Sequence, residues 1–419
     1  MKENIKAPSV RFAGFADSWE RQEFKDTFDL LTNNTLSRAE LNNEQGVAQN
    51  VHYGDILTKL GEVIDLKVDC LPYITDDLKA SKSSILQNGD VIIADTAEDS
   101  AVGKCAEIIG VSDANVVAGL HTIPCRPRKQ YAQGYLGYFM NSPAYHDQLL
   151  PLMQGTKVTS VSKAALQDTI LCYPTEIQEQ TLIGDYFRRL DDLISLYRRK
   201  YVKLVDLKKS MLEKMFPKDG ADVPEVRFKG FVGAWEKHKV SDLLVERNEQ
   251  SPKSNEYPLM AFIAYKGVAP KGERYDRSSL VNDTENKLYK RTEIGDFIYS
   301  SNNLETGSIG LNNYGCACIS PVYSIFSTTA MSDSDFIGQR FVKKDFINEM
   351  VKWRQGVIYG QWRIHEDDFL KIEVLVPSVP EQEKIGRFLR SLDDRIALQQ
   401  RELEKLQSIK KALLEKMFV

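Results

Sequence analysis

The segment 179–216 recurs at 381–418 without a gap, with about half its residues unchanged. Both copies read E-Q, I-G, L-D-D, K-K and L-E-K-M-F in that order. A second echo links 8–20 to 224–236, each of which reads P-x-V-R-F-x-G-F-x-x-x-W-E. A chain made of two like halves is expected to fold as two like bodies. What repeats should then serve a different end from what does not.

The long repeat has a helical period. In its first copy apolar residues fall at Ile183, Phe187, Leu190, Ile194, Tyr197, Tyr201 and Leu204, with gaps that alternate between four and three. That is a heptad seam and not the period of a strand. The second copy places Ile385, Leu389, Leu392, Ile396, Leu403 and Leu406 at matching positions, and Gln399 stands where the first has Tyr197. The next seam positions are Lys208 and Lys410, while Leu207 and Ile409 come one residue earlier. Leu207 and Ile409 are expected to carry the apolar face there, by a local shift toward a 3.6 period or a change of partner. Thr175-x-x-Gln178 and Ser378-x-x-Glu381 have the spacing of capping boxes, with Pro380 inside the first turn of the second. Some 40 helical residues would span about 60 Å. Two such helices with the same stripe are expected to pack on each other.

The regions between the helices hold short β-type runs. Val91-Ile92-Ile93 follows Gly89-Asp90, and Phe297-Ile298-Tyr299 follows Gly295-Asp296. Each region closes with Gln-Gly (Gln154-Gly155, Gln355-Gly356), a polar stretch and an apolar run into Pro174 or Pro377. The skeletons correspond although the sequences between them hardly match, which predicts two α/β domains of one type that have diverged. The order of parts is also cyclic: the residues before Pro8 and after Phe418 stand where the linker from Phe216 to Pro224 stands in the middle. Residues 8 and 418 are therefore expected close together, with a pseudo-twofold relation between the halves.

Composition narrows the class. Hydrophobic residues make up 42% of the 419, enough for a sizeable core. The polar start Met1-Lys2-Glu3-Asn4 and the lack of a long apolar run predict neither an ordinary signal peptide nor a membrane span. The six cysteines are scattered, with no C-x-x-C and no histidine cluster beside them, which predicts no zinc site and suits the cytoplasm. A net charge of −4 excludes a polycation that coats nucleic acid, but not a protein with a local basic face.

Taken in order, these pieces resemble the specificity subunit of type I restriction-modification systems over the whole chain. The doubled set is specific where each piece alone is weak. The resemblance implies an α+β fold with two target-recognition domains separated by a long antiparallel two-helix coiled coil. It places the first domain at 1–174, the first helix at 175–216, a linker at 217–223, the second domain at 224–377 and the second helix at 378–419. It implies a non-catalytic subunit whose domains each read one half of a bipartite site in double-stranded DNA, the coiled coil setting the gap. Its partners would be two modification (methyltransferase) subunits and, in the full complex, two restriction (motor-nuclease) subunits. No cofactor would bind directly: S-adenosylmethionine would come with the methyltransferase, ATP and Mg with the motor. The competing readings are a self-contained DNA methyltransferase or nuclease, and a coiled-coil scaffold with no DNA role.

Residue types that reach phosphates and base edges collect in the stretch before each helix. They are Thr156, Lys157, Ser160 and Lys163 in the first, and Tyr359, Gln361 and Arg363 in the second. Arg126, Arg128 and Lys129, and Lys266, Lys271, Arg274, Arg277 and Arg291, are basic groups able to neutralise phosphate as clusters, though singly most such residues are solvated surface. The helix cations, Lys208 and Lys410 among them, read more simply as a solvated coiled-coil flank. Asp191-Asp192 and Asp393-Asp394 are helix neighbours that point apart, which argues against acid–base work. Phe12-x-Gly14 and Phe228-x-Gly230 lack the second glycine of a methyltransferase loop and read as packing motifs. Neither a catalytic N-P-P-aromatic tetrad nor a P-loop is present. Glu285-Asn286-Lys287 with Asp276 is a common chance match to a nuclease pattern.

Overall fold

The computed structural model describes residues 7–76, 80–98, 100–112, 115–155, 157–218, 220–270, 287–356 and 362–419. Two helices dominate it, Ile177–Lys214 and Val379–Lys416. The chain divides into two compact units, residues 1–198 with 401–419 and residues 199–400. The division falls inside both long helices, so each unit holds the start of one and the end of the other.

In the first unit a five-stranded sheet runs in the order Phe28–Leu30, Thr122–Pro127, Val91–Ala94, Cys105–Ile109, Val63–Asp65. The central strand is covered on both faces, as its unbroken apolar run requires. Val91 and Ile93 face one core with Trp19, Phe139 and Phe187, whereas Ile92 and Ala94 face another with Val51, Ile56 and Ile108. The second unit repeats the scheme with four strands, Leu244–Glu246, Ser324–Thr328, Phe297–Tyr299 and Ile309–Leu311. There Phe297 and Tyr299 join Trp235, Phe336 and Leu389, and Ile298 turns to Phe262, Val268 and Ile325.

The Gly-Asp pairs ahead of the central strands have a common cause. Gly89 and Gly295 take positive φ, 90° and 85°, where a side chain would be strained. Each following aspartate is buried and closes the turn, Asp90 accepting from Gln87 N at 2.7 Å and Asp296 from Glu293 N at 2.7 Å. A buried carboxylate needs a counter-charge. Arg126 supplies it to Asp90 through two bonds of 2.8 and 2.7 Å, and Arg247 supplies it to Asp296 at 2.9 Å.

The two repeats lock onto each other within each unit. Arg11 of V-R-F holds Glu179 of E-Q in a fork of 2.6 and 2.8 Å, and Arg227 holds Glu381 at 2.7 and 2.7 Å. The neighbouring glutamines tie the helix start to the domain. Gln180 accepts from Ala132 N at 3.0 Å and donates to Pro174 O at 2.8 Å, while Gln382 accepts from Asp333 N at 3.1 Å and donates to Pro377 O at 2.9 Å. Glycine follows because the domain comes too close for a side chain: a Cβ on Gly184 would lie 3.0 Å from Gln133 O, and one on Gly386 would lie 2.8 Å from Phe336 N. The capping box expected around Glu381 is corrected here, since its carboxylate is turned to Arg227.

The far ends close the units. Phe418, from the end of the second helix, sits among Trp19, Tyr135, Phe139 and Phe187 of the first unit. Phe216, from the end of the first helix, sits against Trp235 and Phe336 of the second. The backbones join as well, Val10 N donating to Lys416 O at 3.0 Å and Val226 N to Lys214 O at 2.9 Å.

Along the seam Ile183, Phe187, Leu190, Ile385, Leu389 and Leu392 are buried, while Ile194, Tyr197, Tyr201, Leu204, Ile396, Leu403 and Leu406 are half-buried. The shift onto Leu207 and Ile409 does not occur; both are exposed. Lys208 and Lys410 keep the seam positions, their ammonium groups each reaching an acid on the other helix segment of the same unit, and Lys410 also one beside the sheet. Lys208 meets Asp393 at 2.6 Å, and Lys410 meets Asp191 at 2.6 Å and Glu62 at 2.7 Å. A lysine stem can cover apolar surface while its head finds a charge, so these two are not a solvated flank.

One buried acid makes the first unit pH-sensitive. Glu107, on the Cys105–Ile109 strand, accepts from Gly134 N at 2.7 Å and Gly137 N at 3.0 Å. Burial, only partly offset by these donors, pushes its carboxyl up from 4.5 to about 7. The fold thus favours the protonated form. This contribution, about 3 kcal/mol at most, is complete below pH 4.5 and lost as pH rises through 7. The first unit should melt lower at pH 8 than at pH 5, and Glu107→Gln should flatten that slope. An unchanged slope in the variant would assign it to other groups.

Candidate nucleic-acid interface

In both units the stretch before the long helix is pinned to the loop that follows the central strand. In the first, Thr159–Ser160 pairs antiparallel with Thr96–Ala97, and Val161 N donates to Asp95 O at 2.9 Å. In the second, Trp362 N donates to Asn302 Oδ1 at 2.6 Å and Ile364 N to Ser301 Oγ at 3.0 Å. Trp362–Arg363 also pairs with Gln355–Gly356 in a short hairpin, and Arg354 forks onto Glu305 at 3.0 and 2.7 Å. Each unit thus builds one edge from a polar strand and a polar loop, tied to the core through one inward residue, Val161 or Ile364, and otherwise braced by hydrogen bonds. Such an edge can change its other side chains without cost to the core.

Of the residues singled out on this edge, Lys157, Ser160, Lys163 and Arg363 are exposed. Arg363 lies 3.4 Å from Glu366. Thr156, Tyr359 and Gln361 lie outside the described residues, as do Lys271, Arg274, Arg277, Asp276, Glu285 and Asn286. Lys266 is exposed in the turn between Ala261–Ile263 and Gly267–Ala269. Arg291 donates to Ser251 Oγ at 2.9 Å and covers the Tyr257 ring at 4.6 Å.

The first-unit basic group is differently placed. Arg126 neutralises Asp90, Arg128 meets Asp29 at 3.0 Å, and Lys129 lies over the Tyr173 ring at 4.0 Å and 3.6 Å from Glu20. Each is held by the fold's own acids, so Arg126 in particular has a structural duty that loose surface bases lack. A cleft of about 950 Å³ in the same unit mixes Lys59, Lys104, Arg188 and Lys410 with Glu62, Asp65, Asp69 and Asp191. It is not an electropositive groove.

Sequence reasoning missed the loops that brace the edge, Asp95 to Ala97 and Ser301 to Asn302. A signal was present. Carrying the register of Gly89-Asp90 and Gly295-Asp296 past the central strands sets Asp95 against Ser301. Among the described residues no group of three or more His, Cys, Asp or Glu could hold a metal ion, and no helix is long and apolar enough to cross a membrane.

Residues 233–408 match the family described as type I restriction modification DNA specificity domain. The second half of the chain thus carries a type I specificity domain. Across 99% of the chain and 95% of the relative, the sequence is 21% identical to the "Putative type I restriction enzyme MjaX specificity subunit" of Methanocaldococcus jannaschii. The fold is that of the type I restriction-modification S subunit from M. genitalium, with a TM-score of 0.61, 14% identity and 99% of both chains covered. The resemblance drawn from the doubled motifs, to the specificity subunits of type I systems, therefore stands, and with it DNA target recognition as the task.

Proposed function

We propose that the chain reads a bipartite DNA site, one half with each unit, and sets the gap with its paired helices. One observation carries this: the frame recurs and the edges do not. Arg11–Glu179 and Arg227–Glu381, Trp19–Phe418 and Trp235–Phe216, and Lys410–Asp191 and Lys208–Asp393 are the same contacts made twice. The braced edges instead carry Thr159 and Ser160 in one unit, Trp362 and Arg363 in the other. A repeated frame suits two copies of one partner, and unlike edges suit two different half-sites.

In this reading the long helices form an antiparallel coiled coil with pseudo-twofold symmetry, and two methyltransferase subunits dock on it, bringing S-adenosylmethionine. Two motor-nuclease subunits with ATP and Mg complete the restriction complex. The chain itself recognises and assembles. Lengthening a helical spacer changes both the separation and the angular phase of two readers on a duplex. The same short insertion in both helices, after Arg198 and after Gln400, should move the two methylated half-sites apart when methylated adenines are mapped. Retained methylation at an unchanged gap would rule out the ruler.

A further inference from the structure

Among the described residues only two that are not glycine hold a positive φ, His121 at 54° and Tyr265 at 61°. One lies in each unit, and each occupies a turn between two paired or neighbouring strands. Turns of this kind ordinarily use glycine, asparagine, aspartate or histidine, and the bulky ring of Tyr265 there is a strained choice. Strain of this sort gathers where a side chain is needed at one place. Both rings are exposed, Tyr265 at 84% and His121 with 46% of its side chain. Neither ring is buried in a core, although His121 meets the Tyr53 ring edge-on at 5.2 Å.

Each is fastened to the loop that braces the candidate edge. His121 O accepts from Asp95 N at 3.1 Å, and Tyr265 N donates to Gly307 O at 3.0 Å. The Tyr265 ring lies over Gly307, where any Cβ would collide with it at 2.5 Å. The His121 ring is oriented by its neighbours. Thr96 Oγ1 donates to Asp95 Oδ1 at 2.7 Å, and His121 Nδ1 lies 3.3 Å from both of those oxygens. A carboxylate only accepts, so Nδ1 carries a proton toward Asp95, and Nε2 is the ring nitrogen outside this pair.

We propose that His121 and Tyr265 are direct DNA contacts, one ring for each half-site. This rests on the bipartite reading above and deepens it. His121 presents an oriented ring nitrogen, Nε2, suited to a hydrogen bond with a base edge. Tyr265 presents a ring face and a hydroxyl, suited to apolar or hydrogen-bonded contact with a base edge. The left-handed backbone holds each ring out from the turn, and the unlike rings match unlike half-sites.

Glycine is the diagnostic substitution because it fits a positive φ. His121→Gly and Tyr265→Gly should melt no lower than the parent chain, while binding to the cognate duplex, measured with the methyltransferase partner present, falls about tenfold or more. Mapped methylation should show one half-site relaxed by His121→Gly and the other by Tyr265→Gly. His121→Asn, which also tolerates the turn, should lose binding in the same way. Retained affinity and sequence preference in the glycine variants would overturn the proposal, and so would variants that unfold, because the rings would then be structural. If the parent complex shows no preference for a bipartite duplex, it is the bipartite reading that fails.

Discussion

Replacing Phe418 by alanine should remove about 3–5 kcal/mol from the first unit. Phe418 is tied by its ring, 3% exposed, near-parallel to Phe187 at 5.8 Å and edge-on to Tyr135 at 6.0 Å, Phe139 at 5.7 Å and Trp19 at 6.5 Å. Its loss leaves a cavity in the main core of that unit. It also loosens the end of the second helix, where Val10 N meets Lys416 O. Phe216→Ala should do the same to the second unit, where Phe216 stacks on Phe336 at 5.6 Å and meets Trp235 at 5.9 Å. Hydrogen exchange resolved by segment would check both. Protection should fall first around Trp19 in one variant and around Trp235 in the other. A uniform loss, or one under about 1 kcal/mol, would show that the helix ends are not the closures described here.

That closure explains what the sequence disclosed and what it withheld. The doubling, the heptad seam and the Gly-Asp turns were legible because each rests on a short-range rule: period, φ at glycine, or a motif in fixed register. The pairing of the motifs was not legible. Nothing local says that the arginine of V-R-F answers the glutamate of E-Q, or that tryptophan near one end of a unit's sequence receives phenylalanine from the far end. The pairing of Arg126 was not legible for the same reason, because its counter-charge Asp90 lies in a turn some 36 positions away. Lys208 and Lys410 seemed to break the seam because a periodicity argument scores lysine as polar and ignores its stem. In the candidate interface the polar strands before each helix were found by composition. The loops behind them were not, since their importance lies in two or three hydrogen bonds to residues some 60 positions away.

The ion pairs on the seam give the second large effect, and they are unequal. Lys410 serves two acids, Asp191 and Glu62, with its ammonium 5.4 Å from the Tyr138 ring centroid. Burial pushes the Asp191 carboxyl up, and Lys410 and the Tyr138 hydroxyl act against that. Lys410→Met keeps the stem and deletes the charge, leaving two acids together on a half-buried surface. Removing one partner of a buried pair costs about 3–5 kcal/mol, and the water still reaching Asp191 lowers the expectation to about 2–4 kcal/mol. Lys208→Met should cost less, because Asp393 is more exposed and keeps a bond from Gln339 at 3.0 Å. The pH dependence separates charge from packing. Without Lys410, burial and the charge of Glu62 act on Asp191 with less opposition, so its carboxyl titrates higher in the folded variant than in the unfolded chain. The deficit against the parent protein should therefore shrink as pH falls from 8 to 5, as protonation removes the repulsion. Asp191→Asn added to Lys410→Met should recover part of the loss at pH 8 and little at pH 5. A deficit independent of pH, unmoved by the second substitution, would mean that the lysine matters for its stem alone.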